Sequence, residues 1–181
     1  MTASAASKPA DSMPAEGSPS RPAIEPARLA AANINPVTGL ATDYLNHFNE
    51  AVMVLEMLPQ MPECMEELIV WRPMTYAEHF AASNFKDREL AVAAYELAEP
   101  SARLRLDELA ETMNTILLAT RDAMRSSLAT PVANALAEYA AAQLKPLVAR
   151  AGAVINGKEA GHSQDGVAEP AQVAIDALMD P

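Results

Sequence analysis

Two neighbouring stretches decide the fold class: Ser101-Ala-Arg-Leu-Arg-Leu-Asp-Glu-Leu-Ala-Glu-Thr-Met-Asn-Thr-Ile-Leu-Leu-Ala-Thr-Arg-Asp-Ala-Met124, and Thr130-Pro-Val-Ala-Asn-Ala-Leu-Ala-Glu-Tyr-Ala-Ala-Ala-Gln-Leu-Lys-Pro-Leu-Val-Ala-Arg150. In the first, Leu106, Leu109, Met113, Ile116, Thr120 and Ala123 recur at alternating steps of three and four. That spacing lines one face of a helix and predicts helix over 102–126. In the second, Thr130-Pro131 is a helix-start spelling, with proline tolerated in the first turn where its missing N–H has no partner to lose. The predicted helix covers 131–150, with Pro146 expected to kink or stop it near Leu144. The short connection makes the pair an antiparallel hairpin. The facing residues are expected to be Val132, Leu136, Tyr139, Ala140 and Gln143.

Upstream the punctuation is also helical, and no convincing strand alternation occurs. Asn35-Pro-Val-Thr-Gly39 reads as a turn. Thr42 or Asp43 then caps a helix to Leu58, with an apolar stripe of Tyr44, Phe48, Ala51, Val52, Leu55 and Leu58, ended by Pro59. Pro62 opens a short helix over 62–71. Thr75-Tyr-Ala-Glu78 is a capping-box spelling, so another helix begins at Tyr76. Asn84 is the expected cap of one more over 85–98. The fold class is therefore all-α: an irregular helical bundle of about six helices, a long antiparallel hairpin (102–126 / 131–150), and disordered tails. Residues 1–35, rich in Pro, Ser and Ala, read as a disordered tail, 36–150 as the helical domain, and 151–170, spaced by four glycines, as a flexible linker. Residues 171–181 read as a short C-terminal amphipathic segment carrying Val173, Ile175, Leu178 and Met179.

Charge narrows function. The 181 residues hold 13 Lys plus Arg against 24 Asp plus Glu, a formal net charge of −11. No Lys or Arg lies between Arg28 and Arg72, whereas Asp43, Glu50, Glu56, Glu63, Glu66 and Glu67 fall in that gap. Phosphate backbones and anionic headgroups need cations, so neither a nucleic acid nor a membrane is an expected partner. There is no apolar run of about 18 residues and no basic start leading into an apolar core, so the expected location is cytoplasmic. The single cysteine, Cys64, forms no internal disulfide, and Glu63, Glu66 and Glu67 around it oppose thiolate formation. No nucleophile elbow or phosphate-cradling glycine loop is present, and no cofactor is expected.

The chemistry-bearing features are few. Met53, Met57, Met61 and Met65 recur every four residues. The half of the first core helix from Ala51 to Leu58 is apolar nearly all round, so it is either central in the bundle or half of it faces a partner. Flexible thioethers suit adaptable binding surfaces, and an acidic rim favours a basic amphipathic segment. The expected activity is thus a non-catalytic protein-interaction or regulatory module. Its partner-binding residues are Met53, Met57, Met61 and Trp71, with Ile175 and Leu178 as a second contact, toward a protein partner or through self-association. Two other readings stay open. One is a helical metal- or small-ligand-binding enzyme using His47, Glu50, Glu78 and His79, provided their helices converge, since neither histidine belongs to a ligand pair at helical spacing. The other is binding of an apolar granule or lipid surface by the long helices.

Two segments, Asn35-Pro-Val-Thr-Gly-Leu-Ala-Thr-Asp-Tyr-Leu-Asn-His-Phe-Asn-Glu50 and Tyr76-Ala-Glu-His-Phe-Ala-Ala-Ser-Asn-Phe85, resemble a family of small all-helical alphaproteobacterial proteins. The resemblance covers about residues 35–98. It carries no catalytic motif and no known activity, and implies only a bacterial cytoplasmic setting.

Overall fold

The computed structural model describes residues 24–126 and 129–158. Among these residues the chain is all-helical and contains no strand. Seven α-helices occur: α1 (Pro26–Ala31), α2 (Asn46–Met57), α3 (Met65–Val70), α4 (Tyr76–Ala82), α5 (Arg88–Leu97), α6 (Pro100–Met124) and α7 (Thr130–Ile155). Single 3₁₀ turns, Thr42–Leu45 and Pro62–Cys64, lead into α2 and α3. The expected bundle with its long hairpin is present, α6 and α7 sharing the largest helix–helix interface and α2 packing on α7.

α2 is the central rod. His47, Phe48, Ala51, Val52, Val54 and Leu55 are all buried, and they surround most of its circumference. Only Asn46, Asn49, Glu50, Met53 and Glu56 reach solvent as a narrow strip. Fully burying a Phe or Leu side chain contributes about 1.5–3 kcal/mol, so this helix supplies much of the core. Lys145 of α7 pairs with Glu56 of α2 across the surface of that junction.

The hairpin packs differently from the expected register. On α6 the buried set is Ala102, Leu106, Leu109, Ala110, Met113, Asn114, Leu117, Thr120 and Met124, while Ile116 and Ala123 are half-buried. On α7 the buried residues are Ala137, Ala140, Ala141, Leu144, Ala151, Val154 and Ile155; Val132, Tyr139 and Gln143 face outward. The alanine face turns inward because small side chains let the helix backbones approach closely, which a face of Val132, Leu136 and Tyr139 would prevent.

α7 also runs on through Pro146 to Ile155, so neither a stop near Leu144 nor a flexible linker from residue 151 is found. Proline removes one bond, to the carbonyl four residues back. Here both Pro146 and Ala142 are exposed, so water can satisfy that carbonyl, and burial of Ala151, Val154 and Ile155 favours continuing. The helix ends on Gly157 (φ +66), with Lys158 N–H donating to Ala153 O and Gly157 N–H to Val154 O, the Schellman pattern that satisfies last-turn carbonyls.

The amino-terminal boundary moves as well. Residues 26–35 belong to the domain: Leu29, Ala32 and Ile34 are buried. α1 begins on Pro26 and ends on Asn33 in the left-handed region (φ 56), with Ile34 N–H donating to Leu29 O. The proline-rich composition obscured these three anchoring apolar residues. Residues 1–23 of the expected tail, and 159–181 with the rest of the linker and the segment holding Ile175 and Leu178, lie outside the described residues. α5 begins at Arg88 rather than 85, with Asp87 rather than Asn84 at its N-cap; Ser83 Oγ accepts the Phe85 N–H in the connection before it.

Local signals elsewhere hold. Thr75 and Glu78 form a capping box, Thr75 Oγ1 accepting from Glu78 N–H and the Glu78 carboxylate accepting from Thr75 N–H. In the Asn35–Gly39 turn, Asn35 Oδ1 accepts from the N–H groups of Val37 and Thr38. Thr38 Oγ1 donates to Ile155 O at 2.6 Å, which ties the turn to the end of α7. Gly39 adopts φ +72, and an added Cβ would lie 3.0 Å from Ala94 O on α5. Gly39→Ala is therefore expected to lower unfolding free energy by about 2 kcal/mol, read as a reduced urea midpoint with unchanged slope.

Candidate functional site

The methionine row divides between solvent and core. Met53 is 53% exposed on α2 and Met61 is 40% exposed just beyond it. Met57 is half-buried and packs on the core, as does Trp71. The Trp71 indole stacks on the His47 ring at 4.8 Å and 18°. Its Nε1–H donates to His47 O at 3.3 Å, and Arg121 on α6 donates to Trp71 O at 3.2 Å. Trp71 thus clamps the end of α3 to α2 and α6. Around this corner Glu50, Glu56, Glu63, Glu66 and Glu67 are all exposed, and Val70 is 76% exposed. On the hairpin, Leu104, Val132 and Tyr139 are exposed large apolar residues.

The two histidines converge, with ring centroids 6.2 Å apart, but the expected ligand set does not assemble. His79 Nε2 lies 3.3 Å from Asp43 Oδ2, Glu78 is turned toward Thr75 in the capping box, and Glu50 is exposed on α2. Among the described residues no group of three or more His, Cys, Asp or Glu side chains could hold a metal ion. His47 is 5% exposed, and its Nε2 has no hydrogen-bond partner. Burial, reinforced by His79 and opposed by the Arg72 backbone, lowers its pKa to about 4. Burial, with Glu67 and then Glu63 adding, pushes the Cys64 thiol up, which suits a small core residue rather than a nucleophile.

The histidines border an aromatic cluster that periodicity alone did not reveal. Tyr44, in the turn before α2, sits 5.2 Å from Tyr76 and 5.6 Å from Phe48 by ring centroids. Tyr76 stacks on Tyr95 of α5 at 4.5 Å and 16°. The Tyr44 hydroxyl donates to Met74 O at 3.0 Å, and the Tyr76 hydroxyl accepts from Ala41 N–H at 2.9 Å. Each tyrosine thereby satisfies a backbone group in the segment leading into the other's element.

A groove of about 350 Å³ opens against this cluster, between α6 and the Pro73–Glu78 segment. Asp107, Ala110, Glu111 and Asn114 line it from one face of α6, and Glu78 lines it from the start of α4. Tyr95 donates to both carboxylate oxygens of Asp107 at 2.7 Å. The Tyr44 hydroxyl is pushed above its ordinary pKa by burial first, then by Asp107, Glu78 and Glu111; all three carboxylates thus act on one point. Asn114 is 8% exposed, and its Oδ1 has no hydrogen-bond partner. The one sequence signal for this site was a polar Asn beside Met113, in a buried row of α6.

His47 sets the expected pH response. Its folded pKa of about 4 lies below the unfolded value of about 6.5. The unfolded chain therefore binds the extra proton between those limits. The contribution is full above pH about 6.5 and falls away as pH drops toward about 4, by on the order of 3 kcal/mol. Urea unfolding from pH 7 to pH 4 checks this: His47→Asn is expected to flatten that part of the stability profile. No family model, curated protein or solved structure matches the chain.

Proposed function

We propose that the chain is a non-catalytic interaction module whose α2–α3 corner receives a basic amphipathic segment of a protein partner. The carrying observation is the exposure of Met53 and Met61 amid Glu50, Glu56, Glu63, Glu66 and Glu67. Thioethers adapt to varied apolar faces without a rigid pocket. The surrounding carboxylates attract a cationic partner and repel nucleic acid and anionic lipid. No helix among the described residues is long and apolar enough to cross a membrane. The surface is narrower than the periodicity implied, because Met57 and Trp71 turn partly inward. It supports a modest, peptide-sized contact, in keeping with a cytoplasmic regulatory role.

The test is a titration with a synthetic amphipathic helix of Lys and Leu, read on the methionine ε-methyl signals. Saturable shifts are expected at Met53 and Met61. The double variant Met53→Glu, Met61→Glu is expected to bind at least about tenfold more weakly, because buried apolar anchors carry such interfaces, with unchanged helicity because both side chains are exposed. Methyl signals that do not move, or that move equally in the variant, would overturn the reading.

A further inference from the structure

We propose that the outer face of α7 pairs with the same face of a second copy of this chain, the two helices running antiparallel. Val132 is 54% exposed and Tyr139 is 65% exposed, and Ala135, Ala142, Pro146 and Ala149 are exposed with them. These six residues recur at alternating steps of three and four, so they form one stripe along the helix. The stripe carries no charge, runs for about 26 Å, and lies opposite the buried face of α7. A helix needs one apolar face to join a core. α7 carries two, of which the described helices cover one.

Charge and spacing identify the occupant. The whole chain carries −11, which opposes contact between copies over most of the surface. Residues 130–158 hold Glu138 against Lys145, Arg150 and Lys158, so α7 is cationic where the rest of the chain is acidic. Two copies that meet there keep their acidic surfaces apart. The stripe is also symmetric about the Ala140–Ala141 bond: Val132 and Ala149, Ala135 and Pro146, and Tyr139 and Ala142 are equidistant from it. A two-fold axis at that point sets each residue against its counterpart on the other copy, the larger against the smaller in every layer. Glu138 and Lys145 lie on one flank of the stripe. In the antiparallel pair Glu138 of each copy faces Lys145 of the other. Lys145 also holds Glu56 of α2, and an ammonium has donors for both. Parallel pairing would instead set Tyr139 on Tyr139 and Lys145 beside Arg150, like against like. Pro146 adds an independent point. Having no N–H, it leaves the Ala142 carbonyl without its helical bond, exposed in the middle of the stripe. Tyr139 of the other copy lies in the same layer, and its hydroxyl supplies a donor. A strip of this length and one helix wide is smaller than a standard interface, so the dimer is weak and dissociates on dilution.

This face is separate from Met53 and Met61 and does not rest on the reading given to them. The full chain is followed by sedimentation velocity from micromolar to millimolar concentration at physiological ionic strength, where distant surface charges are screened. A reversible rise from monomer to dimer mass is expected. Tyr139→Glu, at an exposed position, is expected to keep its helicity and weaken the dimer at least about tenfold. Glu138→Lys and Lys145→Glu, each alone, are expected to weaken it about tenfold by setting like charges face to face. An equimolar mixture of those two chains is expected to recover association, because both facing pairs are then opposite in sign; a parallel pair would not recover. Met53→Glu, Met61→Glu is expected to dimerise as the parent does. A monomer at every concentration, an unchanged dimer in folded Tyr139→Glu, no recovery on mixing the two charge variants, or a dimer lost only in Met53→Glu, Met61→Glu would overturn the proposal.

Discussion

Two tyrosines exchange hydrogen bonds across the domain, and much of its geometry depends on them. Tyr44, in the turn before α2, donates to Met74 O; Tyr76, at the start of α4, accepts from Ala41 N–H. Both donors and acceptors lie where the chain is irregular and its backbone groups lack helical partners. Ala41 is fully buried, so its N–H could not turn to water, and an unpaired buried amide costs about 1–3 kcal/mol. Two loops, each unable to satisfy itself, are satisfied by a side chain from the other. The exchange fixes α4 against the central rod and holds Tyr44 between the carboxylates that line the groove.

That exchange explains why fold class was legible and the site was not. Proline positions, the Thr75–Glu78 box and the Asn35–Gly39 turn act within a few residues, and the sequence displays them directly. The hydrogen bonds of Tyr44 and Tyr76 span separations of 30 and 35 residues, and nothing in the spacing of two tyrosines announces them. α1 was hidden for a different reason: prolines dominate its surroundings, while burial of only Leu29, Ala32 and Ile34 decides its order. The continuation of α7 through Pro146 was hidden because the local cost of proline is visible in sequence, whereas the compensating burial of Val154 and Ile155 is tertiary.

The hairpin shows the same division. Its existence followed from helical periodicity and a short connection, but its rotation did not. Alanines on α7 could line either face in principle; the structure buries the face of Ala137, Ala140, Ala141 and Leu144 and leaves Val132 and Tyr139 outside. For the methionines, periodicity identified a rod apolar nearly all round, and the structure buries most of it as the central helix. Met57 lies against the core, while Met53 remains in solvent. Asn114 is the reverse case, a polar residue at a buried position.

A double-mutant cycle on the tyrosine hydroxyls tests the central claim most directly. Tyr44→Phe and Tyr76→Phe remove one hydrogen bond each and preserve the rings. If the exchange joins the two segments as a unit, each change lowers unfolding free energy by about 1–2 kcal/mol, and the pair couples by about 0.5 kcal/mol or more. Single changes that are nearly neutral, and that add within about 0.3 kcal/mol, would contradict it.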